Sequence, residues 1–278
     1  MTIDTRYSNH PDDVKHYTTE QLRQHFLIES IFSIDSISLT HSHSDRIIIG
    51  GIMPVNKRLS LNASKEMGVD FFCQRREIGI INIGNKGYIT IDNERIALEQ
   101  YDGFYIARGT KNIHLESESS KKPAKFYLNS APAHYSYPSI KIQHSKANPL
   151  KLGDDNNCNK RTIYQYVHPA ICESCQLLMG LTMLEPGNLW NTMPCHTHQR
   201  RMEAYFYFAM DSGSQVIHLM GQPQQTRHIM VTNEQAVISP SWSIHSGVGT
   251  SNYAFIWGML GENQAFEDMD TIPTSFLK

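Results

Sequence analysis

A chain of 278 residues can be one large or two modest domains, and is ample for a sizeable core. Its 25 basic and 27 acidic residues nearly cancel, which leaves no electrostatic footprint for nucleic acid or an anionic membrane. No apolar run is long enough to span a bilayer and the first thirty residues lack a signal-peptide apolar region; five cysteines, an odd number, argue against a disulfide framework, so a cytoplasmic protein is expected.

Residues 1–17 are polar and without periodicity, and read as a surface arm. Thr18 is a capping candidate, and Leu22, Phe26 and Leu27 follow at helical spacing, which predicts a short helix. From Ile31 the pattern changes to short runs of β-branched and aromatic residues divided by Gly, Asn, Asp and Pro. Arg46–Gly50, Glu77–Gly84, Gly87–Asn93 and Phe104–Ala107 are examples. Many short strands at close spacing predict a mainly β chain of sandwiches or barrels. The polar stretch 144–160, with Pro149, Gly153 and an Asp-Asp-Asn-Asn run, is the best linker. The expected organisation is therefore an arm and short helix (1–30), a first β domain (31–143), a linker (144–160) and a second β domain (161–278).

The two halves echo each other. Gln74-Arg-Arg-Glu77 before an apolar strand matches Gln199-Arg-Arg-Met-Glu203 before another, with a one-residue slip, and Gln100–Gly109 matches Asn233–Trp242. In this alignment Phe71-Phe-Cys73 stands where the second half has His196-Thr-His198, and Asn112 falls near the place of His245. A metal is expected in the second half only.

The chemistry concentrates between Gly187 and Gly213. On an extended strand His196 and His198 point the same way. The offset from His198 to Glu203 is odd, so the carboxylate rejoins that face only if Gln199-Arg200-Arg201 turns or bulges. Beyond it, Glu203, Tyr205 and Tyr207 share one face of an aromatic-rich strand. Two imidazoles and a carboxylate converging in this way make a divalent transition-metal site with room for substrate, and His245, after the Pro240 break, is placed to supply a fourth ligand. Arg161, Gln176, Thr182 and Trp190 lie on or beside flanking strands and are candidate pocket contacts, as are Tyr205 and Tyr207. Arg200 and Arg201 suit a carboxylate clamp, although the first half carries the same pair, which favours a shared structural role. His41-Ser-His43 is a rival histidine pair without a carboxylate at the matching offset, and Cys172-Glu-Ser-Cys175 reads as structural.

The pattern HxH, x4, E, followed by a distant PxxxxH, resembles the two motifs of the cupin superfamily, with Trp242 and Gly249 where that family has glycine and asparagine. Longer segments, 187–198, 220–228, 239–249, 45–54 and 75–84, resemble the 5-keto-4-deoxyuronate isomerases of pectin breakdown, over nearly the whole chain. The resemblance implies a bicupin and a hexamer with one zinc per subunit, held by His196, His198, Glu203 and His245. It implies conversion of 5-dehydro-4-deoxy-D-glucuronate (4-deoxy-L-threo-5-hexosulose uronate) to 3-deoxy-D-glycero-2,5-hexodiulosonate. Two other enzymes share the spacing, the 5-deoxyglucuronate isomerases of inositol breakdown and the metal-dependent cupin oxygenases. A non-catalytic sugar-binding module is the third alternative, and it would not need four metal ligands.

Overall fold

Short β-branched and aromatic runs punctuated by turn residues give strands along the whole chain, seen here in a computed structural model that describes residues 1–278. They sort into two units. The first comprises Met1–Arg6, Ser30–Asn148 and Gln165–Met179; the second comprises Tyr7–Glu29, Pro149–Tyr164 and Gly180–Lys278. No helix is long and apolar enough to cross a membrane.

In the first unit a seven-stranded sheet runs Thr2–Arg6, Ser36–Ser42, Ile48–Met53, Phe126–Pro132, Arg76–Asn82, Gly103–Ile106, Ile140–Ile142. A four-stranded sheet runs Leu59–Ser60, Ile113–Ser117, Gly87–Ile91, Glu94–Leu98. Ile80, Phe104 and Leu128 of the larger sheet join Ile89, Leu98 and Leu115 of the smaller in one buried cluster, so the two sheets form a sandwich around it.

The larger sheet of the second unit runs Pro149–Leu152, Arg161–Val167, Leu178–Leu184, Ala254–Gly261, Arg201–Phe208, Gln235–Ser239, Leu27–Ile28. The strands Arg161–Val167 and Leu178–Leu184 each carry the chain from one unit to the other. The smaller sheet runs Trp190–Asn191, Ser246–Gly249, Val216–Gln222, Gln225–Val231. The plan of seven and four strands is the same in both units, which is the mainly β, duplicated architecture expected from the internal echo.

Register fixes how the halves correspond. Arg76 pairs with Pro132 and Ile78 with Ile106, whereas Arg201 pairs with Gly261 and Glu203 with Ser239. Arg76 thus answers to Arg201, and Ile78, not Glu77, answers to Glu203. The one-residue slip turns Glu77 to the opposite sheet face. There its buried carboxylate accepts the amide protons of Cys175, Gln176 and Leu177 at 2.7–2.9 Å and the Tyr105 hydroxyl at 2.7 Å.

Three segments depart from the expected layout. Residues Thr2–Arg6, read as part of a surface arm without periodicity, form a strand parallel to Ser36–Ser42; an edge strand with polar side chains carries no apolar alternation to announce it. The helix spans Thr19–Phe26, with Thr18 and Gln21 in a reciprocal capping box and Leu22 and Phe26 buried, and it belongs to the second unit. Within the expected linker, Pro149–Leu152 pairs with Arg161–Tyr164 as a hairpin, and the Asp154 carboxylate takes both nitrogens of Asn157 to close its turn.

Glu77→Ala strands three amides and a hydroxyl in the interior. We expect a loss of about 3–5 kcal/mol of unfolding free energy, read as a lowered denaturation midpoint. A midpoint within error of wild type would refute the role given to this carboxylate.

Candidate metal centre and its cavity

After the short strand His196–Thr197 the chain turns at Gln199–Arg200, and the Arg201 amide donates to the His198 carbonyl at 3.0 Å. That turn supplies the break in alternation the odd offset requires, and it returns Glu203 to the face of the histidines. Ser239, opposite Glu203, ends its strand at Pro240, and the following loop brings His245 to the same point. The ligating atoms of His196, His198, Glu203 and His245 all lie within 4.8 Å of one another.

The geometry of these donors is informative. His198 Nδ1 stands 2.9 Å from the Arg201 carbonyl, which only accepts, so Nδ1 carries the proton and donates. With the ring neutral, its Nε2 presents a lone pair to the Glu203 carboxylate at 3.2 Å; with the ring charged, it donates there. His245 Nε2 lies 3.0 Å from the same carboxylate and 2.9 Å from His196 Nε2. Acceptors facing acceptors in a buried site repel unless a proton or a cation sits among them. Bonds of about 2.0–2.2 Å to one cation place neighbouring donors roughly 3–3.5 Å apart, and three of the donor pairs here lie at 2.9–3.2 Å. The four residues fit a divalent metal.

The four groups do not hold protons equally. Burial, with the charge of His245, pushes His196 down to about 3, so its imidazole is neutral at physiological pH. Burial opposes ionisation of Glu203, yet the charge of His245 and the hydrogen bonds from His198 and His245 hold it well below the usual carboxylate range. Burial also works against a charged His198, but its bond to Glu203 outweighs this and raises the ring. A neutral imidazole and an ionised carboxylate are the ligating forms.

The cluster opens on a cavity of about 300 Å³. Of the candidate contacts, Arg161, Thr182 and Tyr205 line it. The other three do not. Gln176 belongs to the first unit, where its amide is bound to Glu77. Trp190 pairs with Val248 in the smaller sheet and faces a separate hollow with Asn157 and Asn159. Tyr207 has the right parity but is sealed inside the barrel, its hydroxyl 2.8 Å from His218 Nδ1. Arg200 and Arg201 do not line the cavity either: Arg201 is fully buried, and Arg200 is occupied by Asp268 and Asp270. At the rival pair, the His41 and His43 rings sit 5.5 Å apart, and burial takes His41 down to about 4.

Much of the cavity wall went unread in the sequence. Phe255, Trp257 and Met259 face it from the strand Ala254–Gly261, an unbroken apolar run without the polar alternation that would mark an inner face. Gly180, on the neighbouring strand, leaves room for the Trp257 indole, where any Cβ would collide with the ring. Phe266, Met269 and Thr271 come from the polar C-terminal segment, which carries no periodic signal. Asp270–Thr271 pairs with His196–Thr197. Arg200 pins this segment through Asp268 (2.9 and 2.5 Å) and Asp270 (3.1 Å), and Arg201 Nη2 donates to the Asp268 carbonyl at 2.9 Å.

A duplicated β sandwich whose second half gathers three histidines and a glutamate at the mouth of a small cavity defines a cupin-like protein with a site able to hold a metal ion. Residues 30–273 match the KduI/IolB family, and the chain belongs to that family. It is 54% identical over 276 residues to 4-deoxy-L-threo-5-hexosulose-uronate ketol-isomerase 2 of Enterococcus faecalis, covering 99% of this chain and 100% of the relative. It is 54% identical over 278 residues to the 4-deoxy-L-threo-5-hexosulose-uronate ketol-isomerase of Dickeya dadantii, again covering 99% and 100%. Among solved structures it is similar to an IolB-like protein of Salmonella typhimurium (TM-score 0.72, 12% identity, 89% of this chain and 96% of that one). It is also similar to oxalate decarboxylase of Bacillus subtilis (TM-score 0.55, 12% identity, 84% and 74%). At such identities these structures speak for the fold alone.

Arg200→Met should release the segment 262–271, read as faster amide exchange there and a several-fold rise in KM. Asp268, held at about 2 chiefly by its hydrogen bond to Arg200, sets the pH window. A carboxylate depressed in the folded state contributes above its ordinary value of 3.8 and loses that contribution as pH falls through about 2. The difference in exchange between wild type and variant should therefore persist at pH 5 and close towards pH 2. A difference that is absent at pH 5 would dismiss the clasp.

Proposed function

We propose that the cavity of the second unit isomerises 4-deoxy-L-threo-5-hexosulose uronate to 3-deoxy-D-glycero-2,5-hexodiulosonate, an aldose–ketose conversion in pectin and uronate breakdown. The observation that carries this reading is the whole-length identity to ketol-isomerases of that name, joined to a cavity of the right chemistry. The resident cation is proposed to be one zinc per subunit, held by His196, His198, Glu203 and His245. When bound, it would polarise the substrate carbonyl and its neighbouring hydroxyl and stabilise the negative charge that develops as the C–H proton leaves. The working form is proposed as a cytoplasmic homo-oligomer, a hexamer on the family resemblance.

The chain's own groups divide the remaining work. Isomerisation takes a proton from C2, returns one to C1 and moves another between the two oxygens. Tyr205 lines the cavity beside Glu203, and burial raises its hydroxyl well above the ordinary tyrosine value. It therefore stays protonated at neutral pH and acts as a donor towards a substrate oxygen. Thr182 and Thr192 add neutral hydroxyls, while Phe255, Trp257 and Phe266 keep water from the reacting carbons.

His196→Ala or His245→Ala should lose bound metal and isomerase activity together while keeping the β-sheet spectrum of the wild type. Full activity in a preparation shown by elemental analysis to be metal-free would end the proposal. Tyr205→Phe should lower kcat about 100-fold with metal content unchanged, whereas Tyr207→Phe, away from the cavity, should mainly cost about 1 kcal/mol of stability. Parallel assays with 5-deoxyglucuronate and of oxygen uptake discriminate against the inositol-pathway isomerase and oxygenase readings.

A further inference from the structure

We infer that Arg161 binds the carboxylate of the substrate and is the residue that makes this site selective for sugar acids; the inference rests on the isomerase reading above. Arg161 supplies the one guanidinium or ammonium group among the side chains lining the cavity. It opens the strand Arg161–Val167, and in the larger sheet that strand lies three positions from the strand bearing Glu203. The two strand axes are thus about 14 Å apart along the sheet, and both side chains face the cavity between them. Guanidinium and donor cluster stand on different strands, and of the two strands between them Ala254–Gly261 supplies an apolar floor that includes Phe255, Trp257 and Met259.

The state of the guanidinium supports the role. Its Nη1 donates to the Asn159 carbonyl at 2.7 Å, which anchors the head group, and no carboxylate pairs with it. Nε and Nη2 are left for a ligand, in the planar fork that matches a carboxylate bidentately. The contrast with Arg200 is instructive, because that residue has two aspartates of its own. A half-buried, unpaired cation in an apolar-walled cavity is costly to keep and is stabilised by an anionic ligand. The layout fits an acid whose carboxylate is remote from its reacting carbonyl, with carbons lacking hydroxyls lying over the aromatic floor.

The test compares the uronate with its methyl ester on metal-loaded wild type, Arg161→Gln and Arg161→Lys. For the acid, Arg161→Gln should raise KM about 10- to 100-fold, the loss of a charge-assisted pair, with kcat changed only a few-fold, as expected when uniform binding is removed. Wild type should prefer acid over ester by a similar factor, and Arg161→Gln should lose that preference. Arg161→Lys keeps the charge and the stem, so it should fold and fall between the two; it decides the matter should the glutamine variant not fold. A folded variant that prefers the acid as strongly as wild type, or one that loses kcat with KM unchanged, overturns the inference alone. Wild type inert on the acid overturns the isomerase reading and this inference with it.

Discussion

A buried carboxylate facing imidazole lone pairs is the constraint around which the second unit is arranged. Glu203 is 4% exposed and His198 and His245 are each 1% exposed, so water cannot screen the repulsion between their acceptor atoms. Each ring is held from its far side. His198 Nδ1 is fixed by the Arg201 carbonyl and His245 Nδ1 lies 3.4 Å from Ser239 Oγ, which aims both Nε2 atoms inward. Such a group of acceptors is relieved only by a proton or a cation among them. The rigid sheet therefore does more than display ligands: it holds them close against their mutual repulsion, in the arrangement one cation relieves.

The two units show how little must change for a barrel to carry such a centre or to do without it. Both have the same order of seven and four strands, and Arg76 and Arg201 occupy the same register. Where the second unit has Glu203 the first has Ile78, part of its apolar core, and its acid sits one residue earlier on the other face. A strand has a period of two, so a shift of one residue is the difference between a ligand and a structural acceptor. Where the second unit places His198, the first places Cys73, which is fully buried.

The same period explains what could be read from the sequence. Strand-rich architecture, the internal echo and the convergence of His196, His198, Glu203 and His245 were legible because each rests on local spacing or on a motif. The turn at Gln199–Arg200 was required by parity alone. Pairing across the sheet was not legible: nothing local reveals that Thr2–Arg6 lies beside Ser36–Ser42, or that Gln176 belongs with Glu77. Parity also overreached at Tyr207, which shares the face of Tyr205 but lies too deep, against His218, to meet a ligand. Trp257 escaped notice because a strand apolar on both faces gives no sign of which side lines a cavity.

Cupin-like folds host dissimilar chemistry, and similarity to oxalate decarboxylase at 12% identity carries none of it here. Three histidines and a glutamate do not choose between isomerisation and oxygen chemistry either, since open coordination serves both. What distinguishes the site is the wall facing the ligands: one guanidinium, the hydroxyls of Thr182, Thr192 and Tyr205, and a floor of Phe255, Trp257 and Met259. On the proposed reading, such a wall orients an anionic, sparsely hydroxylated chain with one end at the cluster, and it offers a neutral phenol to an oxygen that gains charge. Selectivity of this kind is set by the strands flanking the ligands, and those strands can vary while the donor set remains.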